Sequence, residues 1–225
     1  MMNSKEIFGI ALGLEPPWEI QEVEFKEQGE NNIELHIRIG FEQGSKFRDP
    51  QGNLCKVHDT IERSWQHLHF FQHRCFIHCK VPRIIHRDGK VRQVAVPWSR
   101  SGSGFTLLFE AFAMALIEGE MPVNKAARLL GIYPQRLWNI FGYWISIAYS
   151  NDDPSGIRYL GIDETSAKKG HDYVSIAADL EAGRVIHVVG GKDKTTIHSI
   201  KTYLRSKHVK PEQIEQACMD MSPAY

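Results

Sequence analysis

Asp163 closes the apolar run Leu160-Gly161-Ile162, and Asp220 closes Ala217-Cys218-Met219. Carboxylate oxygens are the ligands that Mg²⁺ takes. Two of them brought to one place can hold divalent metal that activates a water or hydroxyl and stabilises the leaving oxygen of a phosphodiester. An aspartate at a strand end is also an ordinary turn former, so each residue alone carries little weight. Cys55, Cys75 and Cys79, with histidines between them, supply the thiolate and imidazole that Zn²⁺ takes in a closed tetrahedral site. The alternative is a metal-free module in which the cysteines are simply buried. His67, His69 and His73 read as polar residues beside a core made by Phe70 and Phe71, since histidines without cysteine partners are weak metal signals. Gln135, Arg136 and Asn139 have the side chains that reach base edges in a major groove, and Arg100, Lys125 and Arg128 could pair with phosphates.

These groups need elements to position them. Val23 and Phe25 alternate on one arm, and Ile33, Leu35, Ile37 and Ile39 on the returning arm, which predicts a β-hairpin over 20–41. Cys75, Ile77, Cys79 and Val81 alternate with Phe76, His78 and Lys80 as in a short strand, which puts Cys75 and Cys79 on one face. The small polar run Ser99 to Gly104 is the best linker candidate. Beyond it the period changes to that of helices. Leu108, Phe109, Phe112, Ala115 and Leu116 mark the inner face of a helix over 105–118. A second helix follows Met121-Pro122, with Ala126, Ala127, Leu129 and Leu130 inside and Gly131 as its stop. A third follows Tyr133-Pro134, with Leu137, Ile140, Phe141 and Trp144 inside. Helix, glycine turn, helix is the helix-turn-helix pattern, with Gln135, Arg136 and Asn139 at the start and outer face of its second helix. Such patterns also arise by chance in apolar helices.

After 151–156 the pattern turns to strands at 159–163, 172–179 and 184–189, a helix at 194–207 and a fourth strand at 216–221. In a strand-strand-strand-helix-strand order the first and fourth strands can lie side by side, which would bring Asp163 and Asp220 to one edge. The charge is zero overall but uneven: residues 1–46 balance at −5, 47–150 at +6 with six histidines besides, and 151–225 at −1. A basic middle segment suits a polyanion, although a solvated mixed surface is the plainer reading. There is no run of about 18 apolar residues for a membrane span and no secretory signal, so a cytoplasmic protein with reduced thiols is expected.

Leu160-Gly161-Ile162-Asp163-Glu164-Thr165-Ser166, then Gly170-His171-Asp172-Tyr173 and Met219 to Tyr225, resemble the catalytic core of bacterial insertion-sequence transposases of the ISL-three class. The likeness extends upstream through Cys55 to Thr60, His67 to Phe71 and Pro97 to Thr106. The resemblance implies a ribonuclease-H-like core with an Asp, Asp, Glu site, in which Asp163 and Asp220 match the first two acids and would bind Mg²⁺ or Mn²⁺. The family's third acid is a glutamate much further along, so the chain is expected to be an amino-terminal part of a transposase, inactive alone. The family also carries a zinc region built from paired knuckles, whereas Asp49-Pro50-Gln51-Gly52 and His86-Arg87-Asp88-Gly89 stand where knuckles are expected, and no Cys-x-x-Cys pair occurs.

The expected architecture is α+β and multidomain. It comprises a β-rich module over 1–98 with a degenerate zinc region, a helix-turn-helix segment over 99–150, and the front of the ribonuclease-H-like domain over 151–225. The expected partners are the terminal inverted repeats of the element and target DNA in the bacterial nucleoid, with no membrane and with a homodimer as one arrangement open to it. The rival readings are a DNA-binding repressor of transposition and a decayed transposase remnant.

Overall fold

The computed structural model describes residues 3–29, 32–167 and 173–219. The alternating apolar residues of the amino-terminal half do build the expected hairpin. Strand β1 (Trp18–Glu27) pairs antiparallel with β2 (Ile33–Phe41), with Phe25 opposite Leu35 and Val23 opposite Ile37. The strand expected around Cys75 is longer than its alternation suggests. As β5 (His73–Ile85) it runs parallel to β2, setting Cys75 beside Leu35, Ile77 beside Ile37 and Cys79 beside Ile39. Those side chains share one sheet face and are completely buried, with Trp65 and Trp98 packed over them. A helix, α1 (Ser4–Ala11), is closed by a reciprocal capping box between Asn3 and Glu6 and packs Phe8 against the same core. With β3 (Lys46–Arg48), β4 (Leu54–Phe70) and β6 (Val91–Gln93), the sheet has the order β1-β2-β5-β4-β3, and β6 pairs with β5.

Three helices follow: α2 (Leu107–Glu118), α3 (Val123–Leu130) and α4 (Pro134–Asn151). The run Ser99 to Gly104 does not behave as a free linker. Ser99 is buried and donates from Oγ to the Phe105 carbonyl at 2.8 Å, while Gln66 of β4 donates from its backbone to Gly104 and accepts from Thr106 at 2.9 and 3.1 Å. The backbone thus stitches the helices to the sheet, and contacts gather Met1–Ile140 into one unit and Phe141–Tyr225 into another. The inner face of α2 is turned from the one its apolar spacing predicts. Phe109, Glu110 and Ala113 are buried, whereas Leu108 and Phe112 are exposed. The cause is Glu110, whose carboxylate accepts from Arg100 and Ser103 and so takes a place that periodicity gives to an apolar residue.

The second unit has the expected order. Strands β7 (Tyr159–Ser166), β8 (Tyr173–Asp179) and β9 (Arg184–Gly190) are followed by α5 (Lys194–Ser206) and β10 (Gln216–Met219). The sheet order is β10-β7-β8-β9, with β10 parallel to β7 and the other pairs antiparallel. Leu160, Ile162, Ala177 and Ile186 from the sheet meet Ile200, Tyr203 and Leu204 of α5 in one core. Asp193 caps α5 by accepting from the backbones of Thr195 and Thr196. At the other end of this unit Lys207 donates from Nζ to the carbonyls of Ser150 and Asp152, at 3.0 and 2.6 Å, satisfying orphan acceptors at the end of α4. Among the described residues no helix is long and apolar enough to cross a membrane.

Candidate nucleic-acid interface and acidic centre

Small residues mark the inner side of the helix-turn-helix. Ala126 and Ala127 of α3 are wholly buried with Leu130, as are Leu137 and Ile140 of α4. Gly131 ends α3 at φ +66°, a left-handed turn that costs an L side chain about 1–2 kcal/mol. Pro134 then opens α4, where its missing N–H is no loss. Leu129, expected inside, is 57% exposed.

The outward faces carry the polar residues. Gln135 and Asn139 lie one turn apart, and Gln135 donates to Asn139 at 3.2 Å, so the two amides are aligned on one exposed stripe. Lys125 and Arg128 on α3 are exposed and enter no ion pair among the described residues. Arg136 does not point away with Gln135. Its guanidinium lies over the Phe105 ring at 4.1 Å, and Phe105 stacks in turn on Phe109 at 4.7 Å.

Arg100 does not fit the phosphate-binding role expected of it. Its Nε donates to Glu110 Oε2 at 2.8 Å, its side chain is only 19% exposed and that of Glu110 is 0% exposed. Ser103 Oγ donates to the other carboxylate oxygen at 2.6 Å. A charge held in a buried pair of this kind is committed to the fold.

The cysteines do not converge on a zinc site. Cys75 and Cys79 lie in the sheet core, where burial pushes both thiols up to about 12 in the metal-free chain. Cys79 faces Arg63 in β4, whereas Cys55 lies eight residues earlier on that strand, opposite Phe47, up to roughly 26 Å away along the extended chain. Cys55 therefore does not join Cys75 and Cys79, and among the described residues no zinc-type ligand group forms around the three. His67 is also structural. His67 Nδ1 lies 2.8 Å from Thr106 Oγ1, the cap of α2, and burial pushes its imidazole down to about 4.

Asp163 is exposed in the middle of β7, and its Oδ1 accepts from the Glu164 backbone at 2.7 Å. The strand beside it, β10, is in register through Met219, which stands opposite Ile162. Asp220 lies outside the described residues, as do Gly170, His171 and Asp172. Among the described residues no three His, Cys, Asp or Glu side chains gather into a metal-holding group.

Sequence reasoning missed Glu110 and Arg74. Glu110 sits at an apolar position of α2, a placement that could have flagged it, whereas nothing in the local pattern marks Arg74.

Comparison with known proteins matches each of these regions. Residues 94–145 match the model for the helix-turn-helix domain of transposase family ISL3, and residues 160–225 match the transposase model for the DDE domain of that family. The transposases for insertion sequence element IS1557 from two Mycobacterium tuberculosis strains, CDC 1551 / Oshkosh and ATCC 25618 / H37Rv, are each 27% identical over 205 residues, 87% of this chain and 45% of theirs. The chain thus spans about half the length of the curated relatives it matches. No solved structure matches. Two domain models of one family, matched on the two folded regions that carry the exposed amide stripe and Asp163, support an ISL3-class insertion-sequence transposase.

Proposed function

We propose that this chain recognises the terminal inverted repeats of a mobile element through α3 and α4, and contributes Asp163 and Asp220 to a metal-dependent centre that cuts and transfers DNA strands. The observation that carries the reading is the parallel register of β10 on β7. Met219 is opposite Ile162, so one further residue of the same register would set Asp220 beside Asp163. Successive residues of a strand face opposite ways, so the Asp163 carboxylate leaves the sheet on the side away from Ile162 and α5. The order β9-β8-β7-β10, with α5 on one face, supports a ribonuclease-H-like core.

The donor set suits a hard divalent cation. Asp163 is exposed, and its second oxygen has no hydrogen-bond partner among the described residues. Asp163 and Asp220 would hold Mg²⁺ or Mn²⁺, which supplies an activated water or hydroxyl and stabilises the leaving oxygen. In the first unit, Gln135 and Asn139 present amides suited to adenine edges, while Lys125 and Arg128 present charge suited to phosphates. A homodimer would let two chains hold two element ends.

The test is a Mn²⁺ titration of the 225-residue chain, followed by the electron paramagnetic resonance signal of free Mn²⁺. A site that disappears in Asp163→Asn and equally in Asp220→Asn supports the shared centre. A site removed by the first variant and untouched by the second contradicts it.

A further inference from the structure

Beside the recognition helix, the sheet of the first unit carries two aromatic platforms. Phe76 of β5 stands opposite Gln66 of β4, and Gln66 in turn bridges Phe105, so the three residues lie in a row across neighbouring backbones. Each aromatic end of the row bears a guanidinium: Arg74 lies over Phe76 at 5.1 Å, and Arg136 over Phe105 at 4.1 Å. Gln66 is buried between them and donates to the Leu130 carbonyl at the end of α3, fixing the helix pair to the sheet. Gly104 leaves the space that Arg136 occupies, since a Cβ there would stand 3.1 Å from Nη2.

The charges in this patch are not balanced. Arg136 has no acidic partner among the described residues, and Arg74 meets only Glu34, at 3.6 Å. Arg74 Nε is buried without a hydrogen-bond partner, although the side chain as a whole is 42% exposed. Burial and then the field of Arg74 both lower the pKa of Arg136, and the same two causes hold His69 below its usual range, so no proton on His69 is needed to make the patch positive. Stacking on a ring holds a guanidinium's plane while leaving its edge N–H groups for an anion.

We propose that Arg74 and Arg136 together clamp one backbone phosphate of duplex DNA next to the stripe read by α4. The β-sheet module thereby becomes part of the DNA-binding surface, and Arg136 a phosphate ligand. This rests on the helix-turn-helix reading and adds to it a contact from a strand that lies outside the helix-turn-helix. Glu34 acts as a competing anion that Arg74 leaves when phosphate arrives.

The experiment is binding of the full chain to a mixed-sequence duplex by fluorescence anisotropy over a range of salt, with urea unfolding to confirm that each variant is folded. Loss of one phosphate contact lowers the slope of log affinity against log salt by about 0.9. Arg74→Gln and Arg136→Gln should each lower it by up to that amount, and the double variant by no more, because one phosphate is shared. Glu34→Gln should tighten binding, but not in the Arg74→Gln background. If Arg74→Gln fails to fold, the pair Glu34→Gln/Arg74→Gln replaces it and should show the same reduced slope. Arg63→Gln, on β4 and hydrogen-bonded to Gln93, should leave the slope unchanged. A wild-type slope in folded Arg74→Gln, or a double variant whose loss is the sum of two full contacts, overturns the clamp. Binding that responds to Lys125→Ala but not to Arg74→Gln sinks the clamp alone, whereas a wild-type chain that binds no duplex sinks the helix-turn-helix reading itself.

Discussion

Replacing Arg100 by Ala should unfold the first unit more readily and should leave the salt dependence of DNA binding as it is. The structure gives Glu110 a completely buried carboxylate that accepts from Arg100 Nε at 2.8 Å and from Ser103 Oγ at 2.6 Å. Taking away Arg100 removes a cation paired with that buried carboxylate. Breaking a buried pair in this way costs about 3–5 kcal/mol. The retained Ser103 bond and the 19% exposure of Arg100 place the loss near the lower end, about 3 kcal/mol. Urea unfolding followed by tryptophan fluorescence reads the change, since Trp65 and Trp98 lie in the core of this unit. Replacing both partners by apolar residues, Arg100→Met with Glu110→Leu, should recover most of the loss, because the desolvation cost disappears with the attraction. A loss below about 1 kcal/mol in Arg100→Ala would mean that the pair behaves as a surface pair and would refute the reasoning. The contrast is Lys125→Ala, which should leave stability alone and lower the salt slope of duplex binding by about 0.9.

Other consequences follow from burial and backbone geometry. Cys218 is exposed and should react with a thiol reagent in the native chain, while Cys75 and Cys79 should react only on unfolding; fast labelling of either core cysteine would contradict the packing. His67 is held near 4 in the folded chain against 6.5 unfolded, so the unfolded chain binds the extra proton. The stability it contributes is whole above pH 6.5 and is lost as pH falls toward 4, by up to about 1.4 kcal/mol per pH unit, and His67→Asn should flatten that part of the profile. Gly131→Ala should cost about 1–2 kcal/mol of stability and Gly131→Asn less, as measured by thermal or urea melting; an unchanged midpoint would argue against the left-handed turn.

The second unit was legible because its strands are short, apolar and bounded by turn residues, and the hairpin over 20–41 was legible because Val23 and Phe25 stay in register with Ile37 and Leu35 despite a bulge near Ile20. The seventeen-residue β4 was not, since Cys55, His58, Arg63, His67 and their neighbours mix polar and apolar types without a clean period. Its sequence neither alternates nor clusters because its partners change along its length, from β3 to β5. The face of α2 was misread for a single residue: a buried glutamate is invisible to a hydrophobic period and depends on Arg100 and Ser103, which the sequence places in what looks like a linker. Arg100 was taken for a phosphate ligand by the same blindness, since charge on a small polar loop looks solvated until its partner is known. The helix-turn-helix itself was readable from Gly131, Pro134 and the buried alanines, but the aromatic rest on which Arg136 lies comes from tertiary contact alone.

The central claim is that Asp163 and Asp220 are neighbours on adjacent strands, and a cross-link tests it most directly. Asp163→Cys with Asp220→Cys, in a background of Cys55→Ser and Cys218→Ser, leaves as native thiols only the two buried in the first-unit core. Adjacent strands lie about 4.8 Å apart, within the roughly 4.4–6.8 Å between Cα atoms that a disulfide spans. Mild oxidation of the folded chain should therefore close the bond, giving a non-reducing gel shift and a peptide pair linked through residues 163 and 220. Thiols that stay free in a chain that is demonstrably folded would contradict the register and, with it, the shared metal centre.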